Sequence, residues 1–115
     1  GHVHVETKVD PIQAVRAMDL FLSVPAVLMD NGEERKQLYG KAGAHRPKSY
    51  GVEYRSLSNF WVFDEKLIRW VWHNTERALQ AGDVSHEMKR ILEAVNNNNK
   101  KVAQELINDY NLEVV

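Results

Sequence analysis

One stretch of the chain restricts its fold more than any other. Between Pro11 and Leu28 the apolar residues Ile12, Val15, Met18, Leu22 and Val27 recur at steps of three, four or five, beside Leu20, Phe21, Val24 and Leu28. A helix with this pattern is apolar around most of its circumference, so other elements must cover it on nearly every side. Its start is marked. Asp10 offers a side-chain acceptor at the cap, Pro11 lacks an N–H that the first position does not need, and Gln13 stands three residues past the cap. Pro25 is expected to kink this helix or end it early. The longest apolar part, Leu20 to Met29, contains Ser23 and Pro25. It falls short of the ~20 residues that cross a bilayer, so no membrane span is expected.

The chain has 115 residues, 43% of them hydrophobic and 27% charged, with a formal net charge of -1 and no Cys. That length supports one core, and the composition excludes collagen-like, disordered and disulfide-stapled chains. The absence of cysteine fits a reducing compartment. The opening residues, Gly-His-Val-His-Val-Glu, hold no Met, basic region or apolar region, so they read neither as a translation start nor as a secretory signal.

Around the buried helix the pattern alternates between strand and helix signals. Residues 2 to 8 read as a strand, with Val3 and Val5 on one face and His2, His4 and Glu6 on the other. Residues 31 to 39 favour a short solvated helix ended by Gly40. From Gly40 to Gly51 the chain carries Lys41, His45, Arg46 and Lys48 with three glycines and a proline, which reads as a cationic loop. Residues 52 to 57 resume a strand, with Val52, Tyr54 and Ser56 opposite Glu53, Arg55 and Leu57. After Asn59 the chain reads as helical. Asp64 caps a helix with Leu67, Ile68, Val71, Trp72, Thr75, Ala78 and Leu79 inward, stopping near Gly82. Ser85 caps a second, with Met88, Ile91, Leu92 and Val95 inward; residues 96–99 break it, and a last helix carries Val102, Leu106, Ile107 and Tyr110. The expected fold is α+β, a partial antiparallel sheet of two or three strands backed by four or five helices. Residues 1–59 form the sheet part and 60–115 the helical part.

Three groups of residues could carry chemistry. His2 and His4 on one strand face place imidazole nitrogens ~7 Å apart, a spacing that suits a metal site and equally suits two half-exposed edge-strand histidines. Lys41, Arg46, Lys48 and Arg55 concentrate cations against the single acid Glu53, which suits phosphate or a solvated surface. Nucleic acid is not expected as a partner, because the chain has no net positive charge. Glu53 and Arg55 project from one strand face, where a hard divalent cation would want the carboxylate and a phosphate the guanidinium.

The string Arg46-Pro-Lys-Ser-Tyr-Gly-Val-Glu-Tyr-Arg55, preceded by Gly1-His-Val-His4 and followed by Asn59-Phe-Trp61, resembles the C-terminal half of the phage-associated COOH-NH2 ligase-type amidoligases. That family is placed in the glutamine synthetase and glutamate-cysteine ligase superfamily. The resemblance implies an ATP-dependent ligase that phosphorylates a carboxylate and lets an amine displace the phosphate, with Mg2+ as the metal. It implies His2 and Glu53 as metal ligands, and Arg46 and Arg55 as catalytic cations around the phosphoryl group and substrate carboxylate. Lys41, Arg46, Lys48 and His4 would face the nucleotide. Carboxylate and amine substrates, small molecules or peptides, are the implied partners, with the host cytoplasm as the location for a phage-encoded protein and a homo-oligomer as a compatible assembly. Related ligases supply further metal carboxylates from a Glu-x-Glu strand in an N-terminal half. This sequence shows none on a strand, so it is expected to hold about half a site and to be inactive alone, as a fragment, truncated chain or split-gene product. The competing reading is a non-catalytic interaction module built on Phe60, Trp61, Phe63, Trp70 and Trp72, or a ligase relic.

Overall fold

The structure, a computed structural model, describes residues 3–7, 10–29, 41–48, 51–57 and 64–114. It is α+β. Strand β1 (Val3–Glu6) leads into a helical run made of α1 (Pro11–Met18), a π turn (Asp19–Ser23) and α2 (Val24–Met29). Strands β2 (His45–Lys48) and β3 (Gly51–Tyr54) follow, and then helices α3 (Glu65–Gln80), α4 (Met88–Asn96) and α5 (Lys100–Tyr110). The predicted solvated helix at 31–39 lies outside the described residues.

The long helical run begins as its cap chemistry dictates, with Gln13 N–H donating to Asp10 Oδ2 at 3.1 Å and proline in the first turn. Pro25 neither ends it nor stops it short. A proline cannot donate to the carbonyl four residues back and its ring crowds that carbonyl. The turn ahead of it widens instead, so that Val24 N–H donates to the Asp19 carbonyl five residues earlier, and the helix continues to Met29. The run Pro11–Met29 is longer than the sequence suggested and is long and apolar enough to cross a membrane by length and composition alone, but 72% of its most apolar 18-residue window is buried inside this fold, where it is the core helix, in keeping with the expectation of no membrane span. Met18, Leu20, Leu22, Val24, Ala26 and Val27 are all fully buried. Helix α3 packs along α1 and the π turn, while α4 and α5 pack against α2.

The sheet has the order β1-β3-β2 with both pairings antiparallel. Val3 pairs with Tyr54 and Val5 with Val52, and this apolar face lies towards α1. The segment from Gly40 to Gly51 is thus not wholly a loop, since His45–Lys48 forms an outer strand paired with β3. Its Pro47 sits in a strand with one neighbour in the described sheet, a place where a missing donor is tolerated. Gly51 is required by the pairing. A Cβ there would fall 2.1 Å from the Val5 carbonyl oxygen.

Helix α3 is capped by Asp64 as predicted, through Lys66 and Leu67 N–H, and ends just before Gly82. Its buried stripe is Trp70, Val71, Asn74, Thr75 and Ala78, not the one that includes Trp72. Two helical positions subtend about 200°, so burying Trp70, whose Nε1–H donates to the Glu113 carbonyl at 2.9 Å, turns Trp72 outward to 65% exposure. Ser85 does not cap α4 with its side chain. Residues Ser85–Glu87 form a 3-10 turn entered through an Asp83 Oδ1 bond to Ser85 N–H, and Leu92 is exposed while Ile91, Ala94 and Val95 face inward. Asn99 caps α5 by accepting from Val102 N–H.

Candidate active site on the charged face of the sheet

A period of two divides each strand between two faces, and antiparallel register aligns the charged sets. Glu53 of β3 stands directly between His4 of β1 and Arg46 of β2, while Glu6 and Lys48 flank Gly51 one step along. Arg55, two residues beyond Glu53, projects to the same side. One face of the sheet therefore carries His4, Glu6, Arg46, Lys48, Glu53 and Arg55, and the opposite face is the core.

Glu53 is the centre of this group. It is 7% exposed although it faces away from the core, whereas His4, Arg46 and Lys48 are exposed and Arg55 is half-buried. Arg55 NH1 donates to Glu53 Oε2 at 2.5 Å, and His4 Nε2 lies 3.6 Å from Glu53 Oε1. The Arg55 hydrogen bond holds the Glu53 carboxyl below the usual carboxylate range; partial burial opposes it, and the charges of Lys48, Arg55 and His4 reinforce it. Glu53 is thus an anion at neutral pH with one oxygen engaged by a guanidinium and the other turned to an imidazole.

Glu53 Oε1 and His4 Nε2 are the donors that a cation on that second side would meet. A separation of 3.6 Å is too long for a good hydrogen bond but suits two ligands of one ion. Among the described residues no group of three or more His, Cys, Asp or Glu side chains could hold a metal, so this chain's described donors would complete only part of a coordination shell. Magnesium commonly takes one or two carboxylates and fills the remainder with water and phosphate oxygen. His2 lies outside the described residues. Lys41 is not brought onto the sheet face by register. It is an exposed residue of the turn before β2, with its carbonyl held by Ser56 Oγ at 2.7 Å.

Beneath the face runs a polar network that the sequence reading missed. Asp19, fully buried in the π turn, accepts from Tyr54 O–H at 2.6 Å and from Gly43 N–H at 2.8 Å. Ser23 Oγ lies 2.5 Å from the Tyr54 hydroxyl, and Ser56 Oγ accepts from Ala44 N–H at 3.2 Å. Burial raises the Asp19 carboxyl to about 7, against the opposing bonds from Tyr54, Gly43 and Ser56. The sequence signal was available: Asp19 is a lone acid among Val15, Met18, Leu20, Phe21 and Leu22, and a buried carboxylate needs donors.

The fold is thus an α+β domain whose sheet turns the Glu53 carboxylate and several cations to one side. The chain matches the family described as phage phiEco32-like COOH.NH2 ligase-type 2 over residues 1–110, and it belongs to that family. No curated protein and no solved structure matches it.

Proposed function

We propose that this sheet face is one wall of an ATP-dependent carboxylate–amine ligase site, of the glutamine synthetase-like kind, working through an acyl phosphate. The observation that carries the reading is Glu53, a carboxylate aligned across the strands with His4 and Arg46 and bonded to Arg55 at 2.5 Å. In such a reaction a substrate carboxylate oxygen attacks the terminal phosphorus of ATP and ADP leaves. An amine then attacks the acyl carbon, loses a proton, and expels inorganic phosphate, leaving an amide. Both steps spread negative charge over phosphoryl oxygens, and fixed cations lower the energy of that charge. Arg46 and Lys48 are exposed beside Glu53 and serve the nucleotide phosphates, with His4 and Lys41 at the margin. Arg55 serves the phosphoryl group or the substrate carboxylate and keeps Glu53 ionised. Glu53 and His2 would hold Mg2+, with His4 close enough to Glu53 to join them, and the ion would supply neutralisation of phosphate charge. Remaining donors would come from an N-terminal part of the same domain, and the host cytoplasm is the proposed location.

The test is Glu53→Gln in the full-length protein, assayed for ADP release with magnesium and a pool of acids and amines. The expected outcome is loss of ADP release with the circular dichroism spectrum unchanged; wild-type turnover overturns the reading. One observation favours a second reading as an interaction module. Trp72 lies against a groove of about 590 Å³ between β1 and α3, with Val3, Val5, Val71 and Leu79. Of the aromatic residues in that reading, Trp70 is buried and Phe60, Trp61 and Phe63 lie outside the described residues. Thermal unfolding separates the two readings, because a ligand that prefers the native state raises the midpoint. No shift with millimolar ATP and magnesium moves the interaction module ahead.

A further inference from the structure

We propose that Asp19 is a positioning residue whose buried carboxylate locks the turn before β2 to β3 and so fixes where Arg46 and Lys48 stand relative to Glu53. The proposal rests on the reading above only for what those cations do; the lock itself is read from the geometry.

The carboxylate joins two elements that are distant in sequence. Oδ2 accepts from the backbone of Gly43 at 2.8 Å, and Oδ1 accepts from the side chain of Tyr54 at 2.6 Å. Tyr54 lies between Glu53 and Arg55 with its side chain on the core face, and Gly43 is two residues ahead of β2. Gly43 has φ +81°, a conformation that presents its N–H to Asp19 at little steric cost. The rest of the turn is tied to the same surroundings. Ala42 N–H donates to Asn96 Oδ1 at 2.9 Å, Ser56 Oγ donates to the Lys41 carbonyl, and Arg55 N–H donates to the Ala44 carbonyl at 2.8 Å. His45 then enters the ladder opposite Tyr54 and Arg46 opposite Glu53.

The side chains of β2 add little to holding its register beyond these backbone ties. Its residues His45, Arg46, Pro47 and Lys48 include no aliphatic anchor for the core, and a slip of one residue would turn both cations to the other face. The π turn matters because Val24 N–H reaches back five residues to the Asp19 carbonyl, so the same turn that accommodates Pro25 also presents Asp19 and Ser23 to Tyr54. An apolar residue would be the less costly occupant of so buried a position, which makes a carboxylate there informative. The groups facing it are the Tyr54 phenol, the Ser56 hydroxyl and the Gly43 N–H. No Lys, Arg or His among the described residues bonds it. On the neighbouring helices, Arg77 of α3 stacks over the Phe21 ring at 5.0 Å, Arg16 of α1 acts on Asp83, and Asn96 of α4 is neutral.

The experiment compares full-length wild type, Asp19→Asn and Asp19→Ala by hydrogen–deuterium exchange of peptides covering residues 41–48, from about pH 5.5 to 8.5, and by calorimetric titration with ATP and magnesium. Asn can accept from Gly43 N–H through Oδ1 and donate to the Tyr54 hydroxyl through Nδ2. It is expected to keep wild-type protection and ATP affinity while losing the wild type's extra change in protection near neutral pH. Ala leaves both donors unmatched and is expected to raise exchange in 41–48 about tenfold or more and to weaken ATP binding at least several-fold, with α4 and α5 peptides unchanged. The proposal is overturned if Ala leaves exchange in 41–48 within about twofold of wild type, if Asn loosens the segment as much as Ala, or if Asn keeps the wild-type pH profile. Should Asp19→Ala fail to fold, the Asp19→Asn profile decides alone. Absence of ATP binding by the wild type would refute the ligase reading and leave the exchange results to judge the lock.

Discussion

Changing Tyr54 to Phe removes one hydroxyl at nearly constant volume from the centre of the buried network. That hydroxyl is fully buried, donates to Asp19 Oδ1 at 2.6 Å and lies 2.5 Å from Ser23 Oγ. Its loss leaves Asp19 and Ser23 each short of a partner, at a cost of about 1–3 kcal/mol. A second effect depends on pH. In the native protein the Asp19 carboxyl is raised from 3.8 to about 7 by burial, and the Tyr54 bond is the largest influence opposing that rise. Because the native state holds its proton to higher pH than the unfolded chain, it binds more protons between those two values. Stability is therefore greatest at low pH on this account and falls as pH rises through the window, by about 4 kcal/mol in all. Without the phenol the carboxyl is pushed higher still, so the Tyr54→Phe penalty must grow with pH. We expect a loss of about 1 kcal/mol near pH 5, where Asp19 is neutral in both proteins, and about 2–3 kcal/mol near pH 8.5. Urea unfolding followed by circular dichroism at the two pH values measures both, and a thermal midpoint would move by roughly 4 °C per kcal/mol for a domain of this size. Equal losses at the two pH values, or none at either, would refute the argument that Asp19 ionises against Tyr54.

Three further substitutions test separate parts of the fold. Gly51→Ala places a Cβ 2.1 Å from the Val5 carbonyl oxygen, so the β1–β3 pairing must give way, with an expected loss above about 2 kcal/mol in urea unfolding. Arg90→Ala removes the guanidinium that joins Glu87 of the turn before α4 to Asp109 of α5; these groups are partly solvated, and the expected loss in the same assay is below about 1 kcal/mol. Trp72→Ala should change the unfolding free energy by less than about 0.5 kcal/mol, because the ring is 65% exposed, and a larger loss would show that it belongs to the core.

The two faces of the sheet were legible because a period of two needs only a few residues to declare itself. Val3 and Val5 against His4 and Glu6, and Val52 and Tyr54 against Glu53 and Arg55, sort correctly without any knowledge of the partner strand. Strand β2 was not legible, since His45-Arg46-Pro47-Lys48 has no apolar alternation and exists through its pairing with β3. The central helix was visible in outline, but the π turn was not, because the geometry around Pro25 is decided by which carbonyl the next free N–H can reach. Trp72 was misplaced because an apolar count along α3 cannot tell which of two tryptophans has a partner for its indole N–H, and that partner, the Glu113 carbonyl, comes 43 residues later than Trp70. Asp19 is the instructive omission. Reading only the apolar members of a buried helix discards the one residue whose burial demands an explanation.

The reading of the charged face as a nucleotide and metal site meets its most direct test in calorimetric titration of the full-length protein with ATP, with and without magnesium, in wild type, Glu53→Gln and Arg46→Ala. The account predicts binding that strengthens with magnesium in the wild type, loses that magnesium dependence in Glu53→Gln, and weakens in Arg46→Ala under either condition. Binding that is indifferent to magnesium and to both substitutions would contradict it.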